Sequence, residues 1–169
     1  MTVRTQTNSL IELLTPDSRA AIDRWIAKFP AGQKRSAVIA ALNIVQEQND
    51  GWLSTELIDA VAEYLDIPSI AVYEVATFYI MYDLQPVGRH KIYVCTNISC
   101  MLCGCDVIVE HLKKKLGIKF GETTSDGKFA LKEAECLAAC AGAPMFMLDG
   151  VYYENLTPEK VDKILAGLE

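Results

Sequence analysis

The sequence predicts an α+β chain: an N-terminal helical bundle over residues 1–84, followed by a sheet with helices packed on it over residues 85–169. Two patterns and one break lead to this. Through the first half, apolar residues recur every three or four positions, the spacing of helices with one buried face. In the second half, short β-branched and aromatic runs alternate with helical stretches. Between the halves, Gln85-Pro86-Val87-Gly88 interrupts both patterns and reads as a linker.

Each helix of the first half has its own start signal. Thr15-Pro16 supplies an N-cap and a proline at the first helical position. Ile22, Trp25, Ile26 and Phe29 then share a face, and Pro30 with Gly32 stops the helix. A second helix, Lys34 to Gln48, carries Val38, Leu42 and Val45 and ends before Asn49-Asp50-Gly51. Ser54 caps a third, with Leu57, Ile58, Val61 and Leu65 inward. Pro68-Ser69 opens a fourth, along which Val72, Val75, Tyr79 and Tyr82 repeat at helical spacing. Four short amphipathic helices with brief links make a bundle. Phe78, Tyr79, Met81 and Tyr82 read as its core face, with partner docking the sharper alternative; Trp25 and Trp52 read as packing. No catalytic pattern is visible here.

After the linker, Lys91-Ile92-Tyr93-Val94 is a strand that runs straight into Cys95. A helix from Gly104 to Leu116 buries Ile108, Val109, Leu112 and Leu116. Ser125-Asp126-Gly127 turns into a strand from Lys128 to Ala134. Met145–Leu148 and Val151–Tyr153 flank Asp149-Gly150, a pair suited to a two-residue type I′ hairpin. Thr157-Pro158 repeats the earlier cap, and Val161, Ile164, Leu165 and Leu168 form a last apolar stripe. The order β-α-β-β-β-α, with two cysteine loops at one end of a sheet, is a thioredoxin-like plan.

Those loops hold the chemistry. Cys95-x4-Cys100 and Cys136-x3-Cys140 are separated by thirty-five residues, enough for two loops to converge on one ligand. Four thiolates complete a [2Fe–2S] or [4Fe–4S] centre. Thr96-Asn97-Ile98-Ser99 offers N–H donors toward sulfur, and Ala138, Ala139, Ala141, Gly142 and Ala143 let backbone approach closely. Pro144 fixes the exit of the second loop, and its peptide bond is expected to be trans, since only about 5–6% of X–Pro bonds are cis. Cys103 and Cys105 fall where a helix begins and read as free thiols, although Cys95, Cys100 and Cys103 with a distant fourth also fit plant-type ferredoxin spacing. Structural zinc on an interaction protein, which favours Cys-x2-Cys knuckles, is a competing reading. So are a disulfide pair and a thiol–disulfide enzyme using Cys100-x2-Cys103. His90 and His111 are too few for a shared metal site.

Bulk properties narrow the field. A net charge of −6 argues against a nucleic-acid partner, and Lys113-Lys114-Lys115 is a solvated helix face. Residues 1–8 lack the apolar core of a secretory signal. Cys136 to Leu148 is uncharged but too short and broken for a membrane span, so a soluble, cytoplasmic protein is expected. There is no Gly-x-Gly-x-x-Gly and no Walker A sequence to bind NAD, flavin or nucleotide.

Several stretches together resemble the thioredoxin-like [2Fe–2S] subunit family of NADH:quinone oxidoreductase, respiratory complex I. They are Val75-Ala76-Thr77-Phe78-Tyr79, Gln85-Pro86-Val87-Gly88-Arg89-His90, Gly121-Glu122-Thr123-Thr124, Asp126-Gly127-Lys128-Phe129, both cysteine pairs, and Ala143-Pro144. The resemblance spans about Ile22 to Leu168. It implies a [2Fe–2S] cluster on Cys95, Cys100, Cys136 and Cys140, and no catalytic residue on this chain. It also implies a partner flavoprotein subunit holding NADH and FMN, which exchanges single electrons with the cluster. Other hydrophilic-arm subunits of the complex would be partners too, placing the chain peripherally on the cytoplasmic face of the inner membrane without insertion. The diaphorase subunits of NAD-dependent hydrogenases and formate dehydrogenases look alike at this length.

Overall fold

The computed structural model describes residues 9–168, so the reading of residues 1–8 falls outside it. The chain divides into two compact units, residues 1–86 and 87–169. In the first, a 3-10 turn over Leu10–Leu13 precedes α1 (Pro16–Ile26), α2 (Val38–Gln48), α3 (Thr55–Leu65) and α4 (Ser69–Phe78). The caps form as their residues dictate: Thr15 Oγ1 accepts from Ser18 N–H at 3.2 Å, and Ser54 Oγ from Leu57 N–H at 3.3 Å. Ile22, Leu42, Val45, Ile58, Val61, Leu65 and Val72 make the core.

Three expectations change here. Lys34–Ala37 is a 3-10 turn, and the α-helix proper starts at Val38. Helix α4 ends at Phe78, so Tyr79 and Tyr82 lie beyond it. Phe78 is 78% exposed and is no part of the core, while Tyr82 turns inward and donates its hydroxyl to Ile39 O at 2.9 Å. The segment is held by Gln46, whose Nε2 donates to Met81 O at 3.1 Å and whose Oε1 accepts from Asp83 N–H at 2.8 Å. Trp25 is exposed rather than packed, with Lys28 Nζ 3.4 Å from its ring centroid.

The second unit is a four-stranded sheet in the order β2-β1-β3-β4, with β1 His90–Cys95, β2 Phe129–Ala134, β3 Phe146–Leu148 and β4 Val151–Tyr153. Strands β1 and β2 are parallel, and the other pairs are antiparallel. Three helices complete it: α5 (Ile98–Leu102), α6 (Cys105–Leu116) and α7 (Pro158–Ala166). Helix α5 was not expected; Asn97 caps it, Oδ1 accepting from Ile98 N–H at 2.8 Å, and Gly104 in the left-handed region (φ 85°) separates it from α6. The predicted type I′ turn forms, with positive φ at Asp149 and Gly150. Ile92, Val94, Leu131 and Phe146 from the sheet pack against Ile108, Leu112, Val161 and Leu165 from α6 and α7. The histidines stand at the edge, each hydrogen-bonded to a carboxylate, His90 Nδ1 2.6 Å from Asp149 Oδ2 and His111 Nε2 2.8 Å from Asp162 Oδ1.

Candidate cluster site

Parallel pairing brings the two cysteine loops together. The β1–β2 register sets Cys95 opposite Ala134, so both strands release their loops at the same end of the sheet. Thr96 N–H extends the ladder to Ala134 O at 3.1 Å, and Cys95 N–H reaches Met145 O on the other side at 3.3 Å. Cys95 is therefore fixed by two neighbouring strands. Helix α5 then carries Cys100 inward, where it is 1% exposed.

The second loop is tightly wrapped. Ala138 is left-handed (φ 59°), and its N–H donates to Cys136 Sγ at 3.3 Å. That conformation costs an L-residue roughly 1–2 kcal/mol and is kept here beside a sulfur, where such strain gathers. A 3-10 turn, Cys140–Gly142, follows. Asn155 N–H donates to Gly142 O at 2.6 Å and Leu156 N–H to Pro144 O at 3.0 Å, strapping the loop down. A Cβ on Gly142 would overlap the Glu154 side chain, which would have to shift to admit it. The Ala143–Pro144 peptide is cis, against the trans expectation.

The thiols of Cys100 and Cys136 lie near enough to Cys95 to influence its ionisation. Burial pushes the Cys95 thiol up, but the N–H groups of Asn97 and Leu137 and the two neighbouring thiols outweigh it, and the net shift is downward. Cys100 moves the other way, pushed up to about 12 by burial and then by Cys95, though Met145 N–H opposes this. Of this pair, Cys95 is the one whose thiolate is favoured, and Cys100 the one whose thiol is. A centre that brings compensating positive charge would let both ionise.

Cys136 and Cys140 are exposed on the second loop, Cys103 is exposed at the end of α5, and Cys105 is buried at the start of α6. Among the described residues, no three or more His, Cys, Asp or Glu side chains gather as the shell of a single ion. A two-iron cluster would not need one, because its four thiolate ligands would be shared between two metal ions. The donor chemistry fits: soft sulfur donors, N–H groups of Asn97, Leu137, Ala138 and Met145 aimed at three of them, and small residues around the loop. Sequence reasoning did not find the donors Leu137 and Met145, nor the bond from Thr96 Oγ1 to Glu133 Oε1 at 2.8 Å. All three depend on which loops the sheet aligns.

The chain matches the thioredoxin-like [2Fe–2S] ferredoxin family over residues 22–169. It is 49% identical to the E subunit of NADH-quinone oxidoreductase of Rickettsia bellii over 143 residues, 85% of this chain and 86% of that one. It is 40% identical over 155 residues to NADH dehydrogenase [ubiquinone] flavoprotein 2, mitochondrial, of Dictyostelium discoideum, covering 92% of this chain and 63% of the other. Among solved structures, an air-oxidized NAD+-reducing [NiFe]-hydrogenase shares the fold at TM-score 0.66 and 19% identity, over 78% of this chain and 22% of that one.

Proposed function

The chain belongs to the thioredoxin-like [2Fe–2S] ferredoxin family, together with the E subunits of NADH-quinone oxidoreductase, and from that premise we propose that it is the electron-transfer E subunit of such a complex. Cys95, Cys100, Cys136 and Cys140 hold its [2Fe–2S] cluster. The observation that carries this assignment is the parallel β1–β2 register, which sets Cys95 opposite Ala134 and releases both cysteine loops at one end of the sheet, with the Ala138 N–H on Cys136 Sγ.

When bound, the cluster supplies one-electron redox chemistry, exchanged with the FMN of an NADH-binding flavoprotein subunit. The chain's own work is to position and to tune. Strand β1 and helix α5 hold Cys95 and Cys100 out of water, and the backbone N–H groups stabilise charge on sulfur. The second loop leaves Cys136 and Cys140 at the surface, where an electron can enter or leave. Around the first loop, Ile98, Met101, Leu102 and Val107 form an exposed apolar strip, Leu102 being 81% exposed. We assign this strip to the flavoprotein contact, since exposed apolar patches of this kind mark interfaces. The other hydrophilic-arm subunits complete the assembly, and as part of it the chain sits peripherally on the cytoplasmic face of the membrane. No described helix is long and apolar enough to cross a membrane. No residue of this chain is assigned a catalytic step.

Serine substitution at each cysteine tests the ligand set. Loss of visible absorbance and iron is expected for Cys95→Ser, Cys100→Ser, Cys136→Ser and Cys140→Ser, with both retained in Cys103→Ser and Cys105→Ser. Loss in either of the last two would overturn the assignment. Zinc in place of iron would return the chain to a structural zinc protein.

A further inference from the structure

We propose that Thr96 and Glu133 form a charge clamp that holds a carboxylate beside the first cysteine loop and lowers the reduction potential of the cluster. This rests on the ligand reading above. Thr96 follows Cys95 directly, and Glu133 is the penultimate residue of β2, opposite Val94. The Thr96 hydroxyl donates to Glu133 Oε1 at 2.8 Å, and the Thr96 N–H to Ala134 O at 3.1 Å. Backbone and side chain thus pin the carboxylate at the point where β1 turns into the cysteine loop.

Successive strand residues face opposite sides, so Thr96 and Glu133 project from the side of the pleat away from Cys95. Glu133 therefore acts through space and not as a ligand. Its charge adds, after burial, the Asp106 carboxylate and Cys95, to what raises the buried Cys105 thiol at the start of α6. Reduction adds one negative charge to the cluster, and a fixed carboxylate nearby opposes that addition. For a unit charge about 10 Å away, effective dielectric constants from about 80 down to about 25 change the one-electron equilibrium constant roughly two- to tenfold.

The test is an anaerobic potentiometric titration of the full, cluster-loaded chain, followed by EPR. Glu133→Gln is expected to raise the midpoint by two- to tenfold in equilibrium constant, tenfold being about 59 mV for one electron. Glu133→Lys should move it further in the same direction, and Thr96→Val less, all at unchanged iron content. Added salt should shrink each difference, as it does for exposed charges. A merely structural pair would not order the shifts by charge. Midpoints equal to the parent's in both Glu133 variants, with the EPR signal intact, would overturn the inference and leave the ligand reading standing. A parent with no EPR signal after full reduction would overturn the ligand reading itself.

Discussion

Gly88 is where a single added methyl group should do most damage to the cluster unit. It is buried just before β1, pressed against the first residues of β2. A Cβ built on it would lie 2.6 Å from the Phe129 carbonyl carbon and 2.7 Å from Ala130 N. Both are backbone atoms, so no side chain can swing away, and the two strands must part. Overpacking of this kind costs about 1–3 kcal/mol. The adjoining ladder bonds, Arg89 N–H to Gly127 O at 3.0 Å and His90 N–H to Lys128 O at 2.8 Å, are strained with it. Losing them adds about 1 kcal/mol each. The stiffer unfolded chain of an alanine variant returns only about 0.4–1 kcal/mol. Gly88→Ala should therefore destabilise the second unit by about 2–5 kcal/mol, against a typical domain stability of about 5–15 kcal/mol. Urea unfolding followed through cluster absorbance reads that unit. The reasoning fails if the variant unfolds within about 0.5 kcal/mol of the parent.

Other outcomes follow from single contacts. Gln46→Leu strands the Asp83 N–H and the Met81 carbonyl, and should cost about 2–4 kcal/mol in urea unfolding of the first unit. An unchanged midpoint would mean that water replaces both bonds. Tyr82→Phe removes the hydroxyl bond to Ile39 O and should cost about 1 kcal/mol. Burial, then the neighbouring Tyr79, pushes Tyr82 up to about 12. The neutral phenol is therefore favoured in the folded state, and its stabilising share is complete below the ordinary tyrosine value near 10 and lost as pH rises toward 12. An ultraviolet pH titration should show one tyrosine ionising late, and that step should vanish in Tyr82→Phe. Asp162 is held below the usual carboxylate range, first by Lys115 and then by His111. Its contribution to stability should be present above the ordinary aspartate value and lost as pH falls through the lower folded value. Asp162→Asn should accordingly matter at neutral pH and not in strong acid, as thermal unfolding at the two pH values would show.

Most of the architecture was legible because local signals agree with the final packing. Thr15, Ser54 and Thr157 cap the helices they precede, and Asp149-Gly150 makes its hairpin, since each works within four residues. The failures share a cause. Phe78 and Tyr79 have helical spacing, but α4 stops at Phe78 and Gln46, distant in sequence, captures the following segment. Helix α5 is a five-residue turn whose only marker is Asn97, too short for periodicity to register. At the site, spacing proposes the four cysteines, and what the sheet adds is that their two loops leave it at the same end. The donors Leu137 and Met145 were not legible, because they belong to loops that meet only when β1 pairs with β2 on one side and β3 on the other.

Anaerobic iron and acid-labile sulfide analysis of the full chain, with EPR before and after dithionite reduction, bears most directly on the cluster assignment. About two irons and two sulfides per chain, with a spin-one-half signal only after reduction, is the expected result. Zinc or no metal, with no such signal in protein prepared under the same conditions, would contradict it.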